Sequence, residues 1–262
     1  MSLHAVAAVI ERELLKMRRQ RGRLLASLVR PLLWLLVIGA GYAALENARG
    51  PSDYQGFLVP GVIGMTLLFG GMLAALSTAY DKESGVMRML IIAPIAHYWI
   101  VVAKTLGAVI VAVVQALVLL FVLALLRFVH PPASMLMLIA GLVGTALACA
   151  SLGMVIAAWS GTVDNFATLM NLVIFPVFFL SGSLYPVERL PPVLRIVATV
   201  NPYTHGVDLL RHAGLTGSGG GAFDVGSDIA WLVGFSAIAL AAAAFRFENT
   251  SANESLVHRL AQ

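Results

Sequence analysis

The residues able to do chemistry are few, and their spacing rules out more than it suggests. The chain has three lysines, Lys16, Lys82 and Lys104. A nucleotide-cradling P-loop needs Gly-Lys-Ser/Thr with a further glycine upstream. Lys16 precedes Met17 and Lys82 precedes Glu83; Lys104 precedes Thr105, but Ala103 and Tyr98 stand where glycines are required. The glycine-rich stretch Thr216–Gly221 has no Lys-Ser/Thr ending and reads as a flexible connector. The six histidines are scattered with no HExxH pair, and His97, His205 and His212 read as interfacial or loop residues. No GxSxG elbow occurs. Ser236 after Gly234-Phe235 loosely resembles an intramembrane nucleophile, but its only following histidine is His258, and a serine in an alanine-rich run is usually packing. The single Cys149 lies in an uncharged run and reads as a small packing residue. No catalytic residue and no metal site is expected.

The elements that would carry these residues are membrane spans. Of 262 residues, 60% are hydrophobic and 11% charged, with a mean hydropathy of +0.90. Soluble domains carry about 25% charged residues, so this surface cannot face water all round. Disorder needs the opposite composition. Each span takes about 20 apolar residues, and six runs qualify: Leu24–Leu45, Phe57–Ala79, Thr105–Leu126, Ala133–Trp159, Asn165–Val187 and Ile229–Phe245. They are apolar all round rather than alternating, which predicts helices and not a β-barrel. Gln115 is the strongly polar side chain of the third run, and Arg30 lies near the start of the first. The span interiors lack acids: Asp164 and Asp228 stand at ends. A proton-coupled transporter or cation channel would need them inside.

The net charge is +4, and its placement sets orientation. With the N-terminus inside, twelve of the seventeen basic residues fall on inner segments and five on outer ones, with most of the excess before the first run. Both termini are therefore expected in the cytoplasm. The first run is longer than a signal-peptide core and is read as retained.

Three segments between the runs have character of their own. His4–Arg19 reads as an amphipathic helix lying in the interface, with Val6, Ile10, Leu14 and Met17 on one face and Arg12, Lys16 and Arg19 on the other. The alternative is a basic flank that only sets topology. Asp81–Tyr98, DKESGVMRMLIIAPIAHY, opens with charges, turns at Gly85 and stops at Pro94. A short helix projecting Met87, Leu90 and Ile91 would fit a groove on another protein. A plain solvated turn would have no reason to expose so much apolar surface. Pro186–Ser227 is too polar to span. It predicts two short helices, about Pro192–Val200 and Tyr203–Leu215, punctuated by Pro191-Pro192 and Asn201-Pro202.

These features resemble the ABC-2 type transporter permease family, the transmembrane subunit of bacterial ABC exporters. Two stretches carry the resemblance: DKESGVMRMLIIAP at Asp81–Pro94, and LSGSLYPVERLPPVLRIVATVNPYTHGVDLLR at Leu180–Arg211. The resemblance extends over essentially the whole chain as a single domain. It departs in carrying Val86 where the family often has Thr. It implies an all-α fold of six transmembrane helices with an N-terminal interfacial helix (4–19) and a cytoplasmic coupling loop (81–98). Short re-entrant extracellular helices (186–227) would lie between spans five and six. Glu83, Gly85, Arg88, Leu90 and Pro94 would fall at positions that couple to an ATPase. Lys16 and Arg19 would belong to the interfacial helix, and Pro186, Pro191, Asn201 and Pro202 to the outer signature. Glu83 and Arg88 would pair with charges on the ATPase or, alternatively, serve as a helix-start acid and a topology-setting base.

The implied partners are two copies of a P-loop ATPase, a second permease copy in a homodimer and membrane lipids, with no nucleic acid. This chain would bind no cofactor; ATP and Mg would sit on the ATPase. The implied location is the bacterial cytoplasmic (inner) membrane. Phe175, Phe178, Phe179 and Tyr185 would line an apolar pathway for a lipophilic, drug-like or lipid-linked substrate, or alternatively pack as core and interfacial aromatics. Two other functions are compatible with a membrane bundle: an assembly or insertion factor that transports nothing, and an intramembrane hydrolase using Ser236.

Overall fold

A computed structural model describes residues 29–39, 51–86, 97–216 and 220–260, with isolated positions at 11, 15 and 22. Among them the secondary structure is helical, with no strand. We label the helices α1 (Val29–Gly39), α2 (Pro51–Glu83), α3 (His97–Leu125), α4 (Met135–Trp159) and α5 (Val163–Phe179). There follow α6 (Pro192–Val200), α7 (Pro202–His212) and α8 (Val225–Leu260), with one 3₁₀ turn at Val187–Arg189. Four stretches are long and apolar enough to cross a membrane: Gly56–Glu83, Tyr98–Leu125, Met135–Trp159 and Val225–Phe247. The first and fifth expected runs correspond to the shorter apolar helices α1 and α5. The interfacial helix expected at 4–19, with Lys16 and Arg19, lies outside the described residues apart from Glu11 and Leu15.

Helix starts follow local chemistry. The Ser134 hydroxyl accepts from Met137 N at the start of α4, and that of Thr162 accepts from Asn165 N at the start of α5. Asp164 adds a negative charge in the first turn of α5. Pro192 and Pro202 occupy the first positions of α6 and α7, where a missing N–H costs nothing.

The fifth span ends earlier than its hydropathy predicts. Expected to run to Val187, the helix stops at Phe179. Gly182 then takes a left-handed φ of +73°, and a Cβ there would lie 2.4 Å from Val187 Cγ2. The last span, Val225–Phe247, extends the expected Ile229–Phe245 by a few residues at each end, and its helix α8 continues to Leu260.

α2 is the most deeply buried of the four long apolar helices. It packs against α3, α4, α5 and α7, and 78% of its apolar stretch is buried within the chain, against 28% for that of α8. Small residues allow this. A Cβ at Gly71 would lie 3.0 Å from Ala150 N, and one at Gly153 would lie 2.9 Å from the Ala75 methyl. In a bilayer, with no hydrophobic force between helices, such close approach holds α2 to α4 by dispersion. The outward faces carry Phe121, Leu136, Ile238 and Phe245, all exposed. An apolar exterior of this kind suits lipid rather than water.

Candidate functional site

At one end of the bundle the run Asp81-Lys82-Glu83 closes α2, and each charge is used on a different element. Asp81 Oδ2 meets Lys104 Nζ of α3 at 2.5 Å in a buried ion pair. Lys82 Nζ donates to the carbonyls of Ala157, Ala158 and Ser160 at 2.8–3.0 Å, neutralising the negative end of α4. The same ammonium sits 5.4 Å from the centre of the Phe247 ring of α8. Glu83 Oε2 accepts from Val163 N at 2.7 Å, which places a carboxylate on the first turn of α5. Gly85 then takes φ +76°, with open space around its Cβ position, so backbone conformation rather than crowding calls for glycine. Of the expected coupling residues the structure positions Glu83 and Gly85. Arg88, Leu90 and Pro94 lie outside the described residues.

At the other end the segment after α5 folds onto α2. Asn201 donates from Nδ2 to Val177 O at 2.7 Å and accepts from Tyr203 N through Oδ1, so one side chain ties α5 to the start of α7. Pro186 precedes the 3₁₀ turn, Pro191 precedes α6, and Pro202 opens α7. Tyr203 is buried against Gly64, where a Cβ would come within 2.8 Å of its Oη, and that hydroxyl donates to Gly61 O at 3.3 Å. Arg211 Nη2 donates to Gly182 O at 2.6 Å, with the guanidinium 4.3 Å from the centre of the Phe57 ring. Burial lowers the Arg211 pKa, while Asp208 and Glu188 oppose that shift.

His205 is a correction. Expected at an interface or in a loop, it is fully buried. Its Nδ1 lies 2.8 Å from Asp228 Oδ1 of α8, and its Nε2 lies 2.8 Å from Thr199 O. Asp208, one turn along, accepts from the backbone N–H groups of Ala222 and Phe223. The missed signal is the spacing of His205, Asp208 and His212, which puts all three on one face of α7.

The four aromatic candidates divide. Phe178 is buried and meets Trp34 of α1 edge-on at 5.7 Å. Phe175 is 55% exposed and stacks with Phe179 at 6.2 Å. The Tyr185 hydroxyl donates to Phe179 O. None of the four lines the apolar cleft of about 470 Å³ between α4, α5, α6 and α8. That cleft is walled by Leu152, Val173, Val177, Ile196, Val200 and Phe235, among others. Ser236 is buried and donates to Leu232 O at 2.6 Å, and Cys149 is buried in the core; both are packing residues as expected.

The sequence matches the ABC-2 type transporter family model over residues 4–215. Nodulation protein J of Rhizobium leguminosarum bv. viciae is 29% identical over 190 residues, covering 72% of this chain and 73% of that protein. The putative transport permease ycf38 of Porphyra purpurea is 26% identical over 216 residues, covering 80% of this chain and 74% of its own. The probable multidrug ABC transporter permease YbhR of Escherichia coli K12 is 27% identical over 189 residues, covering 71% of this chain and 50% of its own.

Proposed function

Because the chain belongs to the ABC-2 type transporter family, and is thus a multi-pass permease subunit of an ABC transporter, we propose that it forms the pathway of an exporter. It is a transport subunit rather than an enzyme, and it associates with an ATPase subunit. In the proposed assembly two permease copies pair with two ATPase copies in the bacterial inner membrane. ATP and Mg bind the ATPase. Six spans leave both termini in the cytoplasm, and α6 and α7 form a re-entrant outer cap. The cargo is lipophilic, drug-like or lipid-linked. The apolar cleft supports a lipophilic cargo, as does the description of YbhR as a probable multidrug permease.

The observation that carries this reading is the junction at Asp81-Lys82-Glu83, which joins the end of α2 to α3, α4, α5 and α8. The segment leaving that junction holds Arg88, Leu90 and Pro94 and is the proposed seat on the ATPase. A push there reaches four helices through three adjacent side chains. In this mechanism ATP-driven closure of the ATPases moves the two junctions, and the permease pair opens outward. Phe175 and Phe179 face the pathway, while Phe178 holds α5 to α1.

Co-purification from native membranes tests the docking. A P-loop ATPase should accompany the wild-type chain and be lost with Leu90→Asp, with membrane insertion unchanged. Recovery of no ATPase under gentle solubilisation, or equal recovery with the variant, overturns this docking surface.

A further inference from the structure

We propose that Asp208, His212 and Asp228 form a binding site for a divalent transition-metal cation of the zinc type. Asp208 and His212 lie one turn apart on α7, and Asp228 lies in the first turn of α8. One ligand atom from each lies within 4.8 Å of the others. Both carboxylates are buried, and His212 is half-buried.

Asp228 supplies the observation that asks for a ligand. Its Oδ1 is engaged by His205 Nδ1, while its Oδ2 is buried with no hydrogen-bond partner. A carboxylate oxygen held away from water without a donor is costly, and a cation removes that cost. His205 also holds the Asp228 side chain in place: its Nε2 donates to Thr199 O, which can only accept, and its Nδ1 lies 2.8 Å from Oδ1. The acid is therefore held in place from one side and unsatisfied on the other.

Asp208 and His212 complete the set. Arg211 approaches Asp208 through Oδ1, at 3.9 Å, while Oδ2 accepts from Phe223 N at 3.0 Å and keeps a second lone pair towards His212. Asp208 Oδ2 and His212 Nδ1 stand 3.8 Å apart, a gap that a cation about 2.0–2.2 Å from each ligand would bridge. Nδ1 would exchange its 3.0 Å contact with Asp208 O for the cation. Glycine at position 221 keeps the approach clear: a Cβ there would lie 2.2 Å from Asp208 Oδ2 and 2.5 Å from His212 Nδ1. Two carboxylates with one imidazole suit zinc, whereas calcium and magnesium favour oxygen-only sets. Bound there, the cation ties α7 to α8.

Cobalt(II) titration of the purified full-length chain, with any affinity tag removed, reads the site directly. The wild type should develop a visible ligand-field spectrum saturating at one cobalt per chain. Zinc should displace it; magnesium and calcium should not. Asp228→Asn and His212→Gln should each weaken cobalt binding at least about tenfold. His212 is partly exposed, so its variant is informative even if Asp228→Asn fails to fold. No spectrum in the wild type, or an undiminished one in a folded His212→Gln chain, overturns the proposal.

Discussion

Glu83 and Val163, eighty positions apart, are joined by one hydrogen bond in which Oε2 accepts from the Val163 amide at 2.7 Å. The acid that ends one helix thereby starts another. The alternative use of Glu83, pairing with a charge on the ATPase, predicts a different response to substitution. Glu83→Gln keeps a carbonyl able to accept from Val163 N, and transport should stay near wild type. Glu83→Ala removes the acceptor, costs about 1 kcal/mol as a lost helix cap, and should lower transport while the ATPase remains bound. Transport assays with paired pull-downs check this; equal loss in both variants would favour the inter-subunit role.

The buried pair of Asp81 and Lys104 predicts a large asymmetry. Asp81→Leu or Lys104→Met alone leaves a buried charge and should cost about 3–5 kcal/mol. The double variant Asp81→Leu with Lys104→Met should recover most of that loss. Thermal unfolding in detergent, run as a double-mutant cycle, gives the answer.

Gly206 and Thr145 form a contact with no room in it. A Cβ at Gly206 would lie 2.2 Å from Thr145 Oγ1, and that hydroxyl is buried without a partner. Gly206→Ala should destabilise by about 1–3 kcal/mol through overpacking. Thr145→Ala should be close to neutral, because it removes an unsatisfied group, and should partly rescue Gly206→Ala. Melting temperatures of the four chains decide it.

The aromatic residues of α5 should separate stability from transport. Phe178→Ala opens a cavity in the core and should cost about 3–5 kcal/mol. Phe175→Ala removes an exposed ring and should leave the melting temperature nearly unchanged. If Phe175 faces the pathway, its variant alters the rate or selectivity of export; an unchanged transport profile would assign it to lipid contact.

The helical class and the two short helices near Pro192 and Pro202 were legible, because hydropathy and proline punctuation are local signals. The end of α5 was not. Leu180, Leu184 and Val187 continue the apolar run through the turn at Gly182, so hydropathy alone carries the span past it. His205 was misread for a related reason. Its polarity suggests exposure, and the Asp228 that makes burial tolerable is 23 residues away on another helix. At the Glu83 end, the sequence leaves two uses open for Glu83, a pairing with the ATPase or a helix-start acid, and assigns none to Asp81 or Lys82. The contacts of this charged run with α3, α4 and α5 depend on how the helix ends come together, which residue spacing does not reveal.

The unequal burial of α2 and α8 sets how the protein senses its bilayer. Hydrophobic mismatch is relieved by tilting or by deforming lipid, and it acts on helices that touch lipid. α8 presents most of its surface outward, whereas α2 is sheathed by its neighbours. A thicker or thinner membrane therefore tilts α8 first. Lys82, set against Phe247, links α8 to the end of α2, so under the proposed coupling acyl-chain length acts on the same junction as the ATPase.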